Sequence, residues 1–420
     1  MSVKLPHTLY LCYFGLREPL VQSQVLQYLR EIKKGGIKVS LLTFETEPEK
    51  NWTQEQIKET RSRLASEGID WDFLTYHKRP SAPATLYDVF CGAIYTWRKV
   101  RKEKIDVLHG RVHIPTMMAL LAKKFSFGKK PKVLFDIRGF LPEEYTEGGN
   151  WTPDGKLFRA VKRVEKWLLR DSDGFVVLTE KARDILFPDS KETGFDSKNR
   201  PVEVIPCCVD VEKFAAVDAA AGTEMRKRLN VENRRVIVYV GSFGSKWYLP
   251  DETADLLGEA KKQRPETYAM ILTQTSPDFI KPLLEAKGFT EKDYFIQKVA
   301  PSEIPKYLSA ADAAISFIKP CYSKLASSPT KNAEYLACGL PMITNSGVGD
   351  TAEFTRDDQV GYVLDEFNTE SYRTALSEIE KLSINKSELA AKCKDSAKNR
   401  FDLATVGGER YRRIYQRLLK

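Results

Sequence analysis

Thr330, Lys331 and Glu334 stand three and four positions apart in "SSPTKNAEYLACGLPMI" (Ser327–Ile343). Residues so spaced share one helix face, where an ammonium could hold a polyanion and a carboxylate a pair of hydroxyls. Ser328 is suited to cap such a helix, Pro329 to take its first position and Gly339 to end it, which predicts a helix of about ten residues. Its first N–H groups, from Ser327 to Lys331, would carry roughly +0.5 of an elementary charge and cradle a diphosphate. Glu334 would then lie about a nucleotide's length away, able to accept from both ribose hydroxyls. Ala333, Leu336, Ala337 and Leu340 would face a core. A capped surface helix with a Lys331–Glu334 ion pair uses the same residues, so these positions alone leave both readings open.

A helix that opens on a ligand needs a parallel sheet to present it, because ligands of open α/β sheets gather at the carboxyl ends of strands. Short β-branched and aromatic runs do alternate with longer charged stretches along this chain, the pattern of strand–helix–strand units. One series comprises 8–14, 37–44, 106–109, 132–137, 174–178 and 202–205; a second comprises 235–241, 268–273, 294–297, 313–318, 341–344 and 361–364. The expected class is α/β with two Rossmann-like domains facing across a cleft. A chain of 420 residues exceeds what one core normally organises. We place the domains at 1–215 and 216–400, joined through 210–225, which lacks a strand signal, with 401–420 as a closing helix packed back on the first.

Composition narrows the function. With 42% hydrophobic and 29% charged residues, both halves can build cores. The seven cysteines are scattered without Cys-x-x-Cys spacing and read as reduced and structural. No apolar run approaches the ~20 residues of a membrane span and no cleavable leader is evident, so a cytoplasmic location is expected and the sequons at Asn51, Asn150 and Asn385 read as chance. The net charge of +9 gathers in 96–104, 123–132 and 156–170. In the last, Leu157, Val161, Val164, Trp167 and Leu168 oppose a basic face, which suits either an anionic membrane surface or packing on the sheet. Nucleic acid is not an expected partner.

Other polar clusters have weaker claims. "DSD" (171–173) imitates an Asp-x-Asp metal motif but precedes a strand, and reads as a turn. "HGRVH" (109–113) has zinc-like His spacing without the Glu of a zinc protease. Its position after a strand would instead bring His109, Arg111 and His113 near the cleft. Asp136 and Arg138 follow strand 132–137, where they could bind acceptor hydroxyls or a lipid phosphate, or simply brace each other. Gly15 reads as a close-approach position after strand 8–14, with Arg17 beside it.

The stretch "SSPTKNAEYLACGLPMITNSGVGD" resembles the nucleotide-sugar signature of GT-B fold, family 4 retaining glycosyltransferases. So do "REPLVQSQVLQYLREIKKGGIKVSLLTFE" (17–45), "VIPCCVDVEKF" (204–214), "YFIQKVAPSEIPKYLSAADAAISFI" (294–318) and "GERYRRIYQRLLK" (408–420) in their places. The resemblance implies that Glu334 binds the ribose, the backbone at Lys298 and Val299 the base, and the N–H groups around Ser327, Ser328 and Thr330 the diphosphate of a UDP- or GDP-linked sugar. Gly241 would lie against the donor at the head of "VGSFGSKWYLPDE" (240–252). Two departures stand out. Ala326 replaces a Glu that contacts the donor sugar, and the Arg and Lys usual after the first strand of the second domain are missing, leaving Lys246 or Lys331 to supply the cation. The implied activity is metal-independent transfer, without a cofactor, to a saccharide or lipid-linked acceptor. A sugar-nucleotide epimerase, or a basic protein with a degenerate donor site, fits the same pattern.

Overall fold

The computed structural model describes residues 5–79, 81–217, 219–244 and 246–420, which form two compact units. The first comprises residues up to Pro206 together with Val406–Lys420; the second is Cys207–Thr405. The division at Pro206 precedes the expected boundary near 215. Val209 bridges to Asp402, and the short helix Val211–Ala215 packs on helices Thr330–Ala337 and Lys386–Phe401, so this stretch already serves the second core.

The first unit holds a seven-stranded parallel sheet: β1 His7–Leu11, β2 Lys38–Thr46, β3 Ile69–Tyr76, β4 Val107–Arg111, β5 Lys132–Asp136, β6 Gly174–Val177 and β7 Val202–Val204, in the order β3-β2-β1-β4-β5-β6-β7. The edge strand β3 has no counterpart among the strands expected from sequence. It carries Asp70 and Asp72, a residue type depleted in strands, and both are held by Lys99 of helix Ser81–Glu103, at 2.7 and 3.2 Å.

Helix Glu409–Leu419 completes this unit. Tyr411, Ile414, Tyr415 and Leu418 form a buried stripe at helical spacing. The stripe is also polar at its tips: Tyr411 donates to Asp136 at 3.0 Å, and the Tyr415 hydroxyl bonds Thr8 and His109, each at 2.9 Å.

The second unit holds six parallel strands, all expected from sequence: β8 Val236–Val240, β9 Tyr268–Leu272, β10 Tyr294–Gln297, β11 Ala313–Ser316, β12 Met342–Asn345 and β13 Gly361–Leu364, in the order β10-β9-β8-β11-β12-β13. Alternate residues of β8 serve opposite cores. Val236, Val238 and Val240 join Leu336, Ala337 and Leu340 on one face, and Ile237 and Tyr239 join Leu256 and Ile315 on the other. A sheet covered on both faces demands continuous apolar strands, which is why these runs read clearly. In both units the strand order reverses beside the first strand, at β1/β4 and at β8/β11, the place where open sheets receive ligands. Among the described residues, no helix is long and apolar enough to cross a membrane.

Candidate functional site

The carboxyl ends of β8 and β11 are linked through the helix Thr330–Ala337. Its Tyr335 hydroxyl accepts from the Val240 N–H at 2.8 Å and faces the Ile315 carbonyl at 3.3 Å. The helix ends as expected: Gly339 has φ 77°, its N–H bonds the Leu336 carbonyl and that of Leu340 bonds Tyr335. This pair of bonds is the left-handed glycine stop.

Its beginning differs from expectation. Ser328 does not cap it; the hydroxyl accepts from the Cys207 N–H at 3.1 Å, and Pro329 occupies the cap position without a side-chain bond. The helix therefore spans eight residues. Among the described residues, the N–H groups of Thr330 and Lys331 make no bond to the chain. Those orphan donors and the helix dipole point the same way.

Lys331 is not the exposed partner of Glu334 that a surface helix would show. It is 8% exposed, its Nζ lies 4.2 Å from the ring centre of Tyr239 and 4.9 Å from that of Tyr248, and it has no hydrogen-bond acceptor. No ion pair joins it to Glu334. Burial pulls the Lys331 ammonium down to about 7, although the Glu334 charge opposes this. Burial likewise pushes Glu334 up to about 7 against the pull of Lys331, although this side chain keeps a solvent-facing edge. An anion arriving at the helix start would restore charge to Lys331.

Around this core, Gly241 follows β8 at φ 121°, and a Cβ placed on it would meet nothing within 4 Å. Backbone there is bare and accessible, as close approach of a ligand requires. Lys246 is exposed on the same loop, which is stitched to the segment just after β11 by the Tyr248–Ile318 bridge. Lys324 packs its ammonium 3.9 Å over the Trp247 ring. Lys298 is exposed and Val299 half-buried just after β10; Ser327 and Thr330 are half-buried. Ala326 is 2% exposed, so only a methyl stands where the resembling family has a carboxylate. Sequence reasoning missed Tyr239 and Tyr248, the walls of the Lys331 chamber. Their one local signal is an aromatic with a hydroxyl beside the end of a strand otherwise made of Val and Ile.

The residues of the first unit expected near the cleft, His109, Arg111 and His113, and the expected acceptor residue Asp136 lie deeper than expected. His109, Arg111, His113 and Asp136 are 0%, 3%, 4% and 0% exposed. β4 runs on to Arg111 with both faces covered, so His109 sits inside the sheet, tilted against the Tyr10 ring and bonded to Tyr415. His113 opens the next helix and bonds Glu165 at 3.2 Å. Burial pushes the Asp136 carboxyl up, but Arg138, then His109 and Arg111, hold it far below the usual carboxylate range. The Arg138 side chain is 6% exposed, 3.7 Å from Asp136, and donates to Gln24 at 3.2 Å. This cluster braces the C-terminal helix. Arg17 is exposed, but its guanidinium stacks 3.7 Å over Trp52 and donates to Asn51 and Gln56. Gly15 is needed for a reason within the fold: a Cβ there would come within 2.9 Å of the Glu45 carboxylate, which accepts from the Leu16 N–H.

Comparison with known proteins gives a consistent result. Residues 222–400 match the family model described as Glycosyl transferases group 1, and residues 21–213 that of Glycosyltransferase Family 4. Among solved structures, the chain resembles a glycosyltransferase from Rickettsia africae (TM-score 0.70, 15% identity, 99% of each chain). It also resembles HepE of Anabaena in complex with UDP (0.66, 15%, 96% of this chain and 98% of that one). A third neighbour is WaaG, a glycosyltransferase involved in lipopolysaccharide biosynthesis (0.61, 15%, 97% and 99%). No curated protein matches the chain by sequence.

Proposed function

Because this chain is a GT-B glycosyltransferase of the family 4 type, we propose that it is a retaining, metal-independent enzyme moving a sugar from a nucleotide-diphospho-sugar to a saccharide or lipid-linked acceptor. The observation that carries the donor site is Lys331: a buried ammonium without an acceptor, next to unbonded helix N–H groups and one turn before Glu334. Burying a charge without a partner is costly, so such a group is kept where a ligand supplies the partner.

In this reading the diphosphate lies across the N–H groups of Thr330 and Lys331, Glu334 accepts from the ribose hydroxyls, and the backbone at Lys298 and Val299 meets the base. The bond from the anomeric carbon to the diphosphate oxygen breaks as the acceptor oxygen bonds the same face. The acceptor's proton passes to the departing diphosphate. Charge growing on that leaving group is met by Lys331 and the helix dipole, which favour the transition state over bound substrate.

UDP, held by the Anabaena neighbour, is the first nucleotide to test. Titration calorimetry of UDP and GDP on the native protein and on Glu334→Ala tests the site, since hydrogen bonds to a charged group are worth about 1.5–3 kcal/mol. Affinity unchanged in a folded variant refutes the ribose role. Transfer that EDTA abolishes and magnesium restores refutes metal independence, and an inverted anomeric signal in the product refutes retention.

Envelope or exported polysaccharide synthesis at the inner face of a membrane completes the proposal. It is supported by Phe125 and Phe127, 62% and 89% exposed, beside Lys124, Lys129 and Lys130, the pairing that suits an anionic interface. Vesicle flotation of Phe125→Ser/Phe127→Ser against the native chain checks this part.

A further inference from the structure

Of the four histidines in the chain, three are buried: His7, His109 and His113. His77 alone reaches solvent, with its side chain 44% exposed. It follows directly on β3, at the carboxyl edge of the first sheet, and its ring is held by a carboxylate that is itself 1% exposed. That carboxylate, Asp88 on helix Ser81–Glu103, bonds His77 Nδ1 at 2.6 Å and accepts from the His77 backbone N–H at 3.0 Å and from the Tyr13 hydroxyl at 2.6 Å. An ionised carboxylate only accepts, so Nδ1 carries a proton, and in the neutral ring it is Nε2 that holds the free lone pair. Here the carboxylate is buried, with three donors, while the imidazole stays open. Tyr87 stands edge-on to the imidazole with ring centres 5.1 Å apart and is 56% exposed; Phe90, one turn on, is 62% exposed.

We propose that His77, oriented by Asp88, and the exposed ring of Tyr87 form a subsite for a neutral pyranose of the acceptor. Nε2 accepts from a sugar hydroxyl and the aromatic ring takes the apolar face of the sugar. The subsite rests on the glycosyltransfer reading above but not on the donor residues. With Nδ1 committed to Asp88, Nε2 is the ring atom left for a sugar hydroxyl. Because exposed Lys78 and Arg79 flank it, a lipid phosphate is the competitor to exclude.

The test is nuclear magnetic resonance of the full chain with labelled histidine rings. The neutral His77 ring is expected in the Nδ1–H tautomer. Its Cε1–H signal should move on titration with methyl glycosides of glucose, galactose, mannose or N-acetylglucosamine, and Tyr87→Ala should weaken that response about two- to tenfold. An Nε2–H ring, a signal unmoved by every glycoside, or one moved only by phosphatidylglycerol vesicles overturns the proposal. UDP binding, followed by thermal shift on the same samples, separates the two readings: a lost UDP response with the glycoside response kept sinks the donor site and not this one.

Discussion

Lys331 carries the sharpest consequences at the scale of single residues. Its ammonium is buried without an acceptor, so Lys331→Met, which keeps the apolar stem, is expected to raise the melting temperature while turnover falls by about a hundredfold, some 2.7 kcal/mol of barrier. A lysine whose role was structural would show the reverse. The pH dependence has a definite sign. The group sits at about 7 when folded and at 10.5 otherwise, so between those values the unfolded chain binds more protons and native stability rises with pH. The gain from Lys331→Met should therefore be full at pH 7 and below and shrink toward pH 10.5, as melting at several pH values will show. Diphosphate binding returns the proton, so UDP affinity should decline above about pH 7, by up to tenfold per unit. Calorimetry in buffers of different ionisation enthalpy measures that proton uptake directly. The sequence points to Lys331 and Glu334 through their spacing but does not reveal the aromatic chamber, because Tyr239 arrives from β8 and Tyr248 from the loop after it, some eighty to ninety positions earlier. Likewise nothing local in "HGRVH" distinguishes a strand end that opens on solvent from one covered on both faces.

At the scale of elements, the helix Thr330–Ala337 works only while docked on the end of β8, and Tyr335 is the visible fastener. Tyr335→Phe removes a hydroxyl that accepts from a buried backbone N–H and should cost about 1–3 kcal/mol. If the fastener also aims the helix start, UDP affinity drops severalfold in the same variant; a destabilised protein with native affinity would separate fastening from aiming. Sheet architecture was largely legible, because strands covered on both faces must be continuous apolar runs. Exceptions have local causes. The strand β3 hides behind Asp70 and Asp72, which are tolerable only because Lys99 reaches them. Local pattern places the cap at Ser328, but its hydroxyl accepts from Cys207, 121 positions away, a contact no local pattern encodes.

At the scale of the whole molecule, the first unit is assembled from both ends of the chain. Deleting residues 406–420 removes the Tyr411 and Tyr415 hydroxyls from Asp136 and His109 and opens an apolar groove along the sheet. Breaking a buried charged network typically costs 3–5 kcal/mol, comparable to the total stability of many domains. Calorimetry of the truncated chain should show the first unit's transition lost and the UDP-responsive transition retained; an unchanged thermogram would refute this division of labour.

The same arrangement bears on biosynthesis. A ribosome delivers residues 1–206 long before residues 406–420, so the nascent first unit must wait, with Asp136 and its neighbours uncovered, while the whole second unit is translated and folds. On the proposed donor site, premature termination anywhere after the second unit would leave a nucleotide binder attached to an unfinished partner, a product that sequesters donor and transfers nothing.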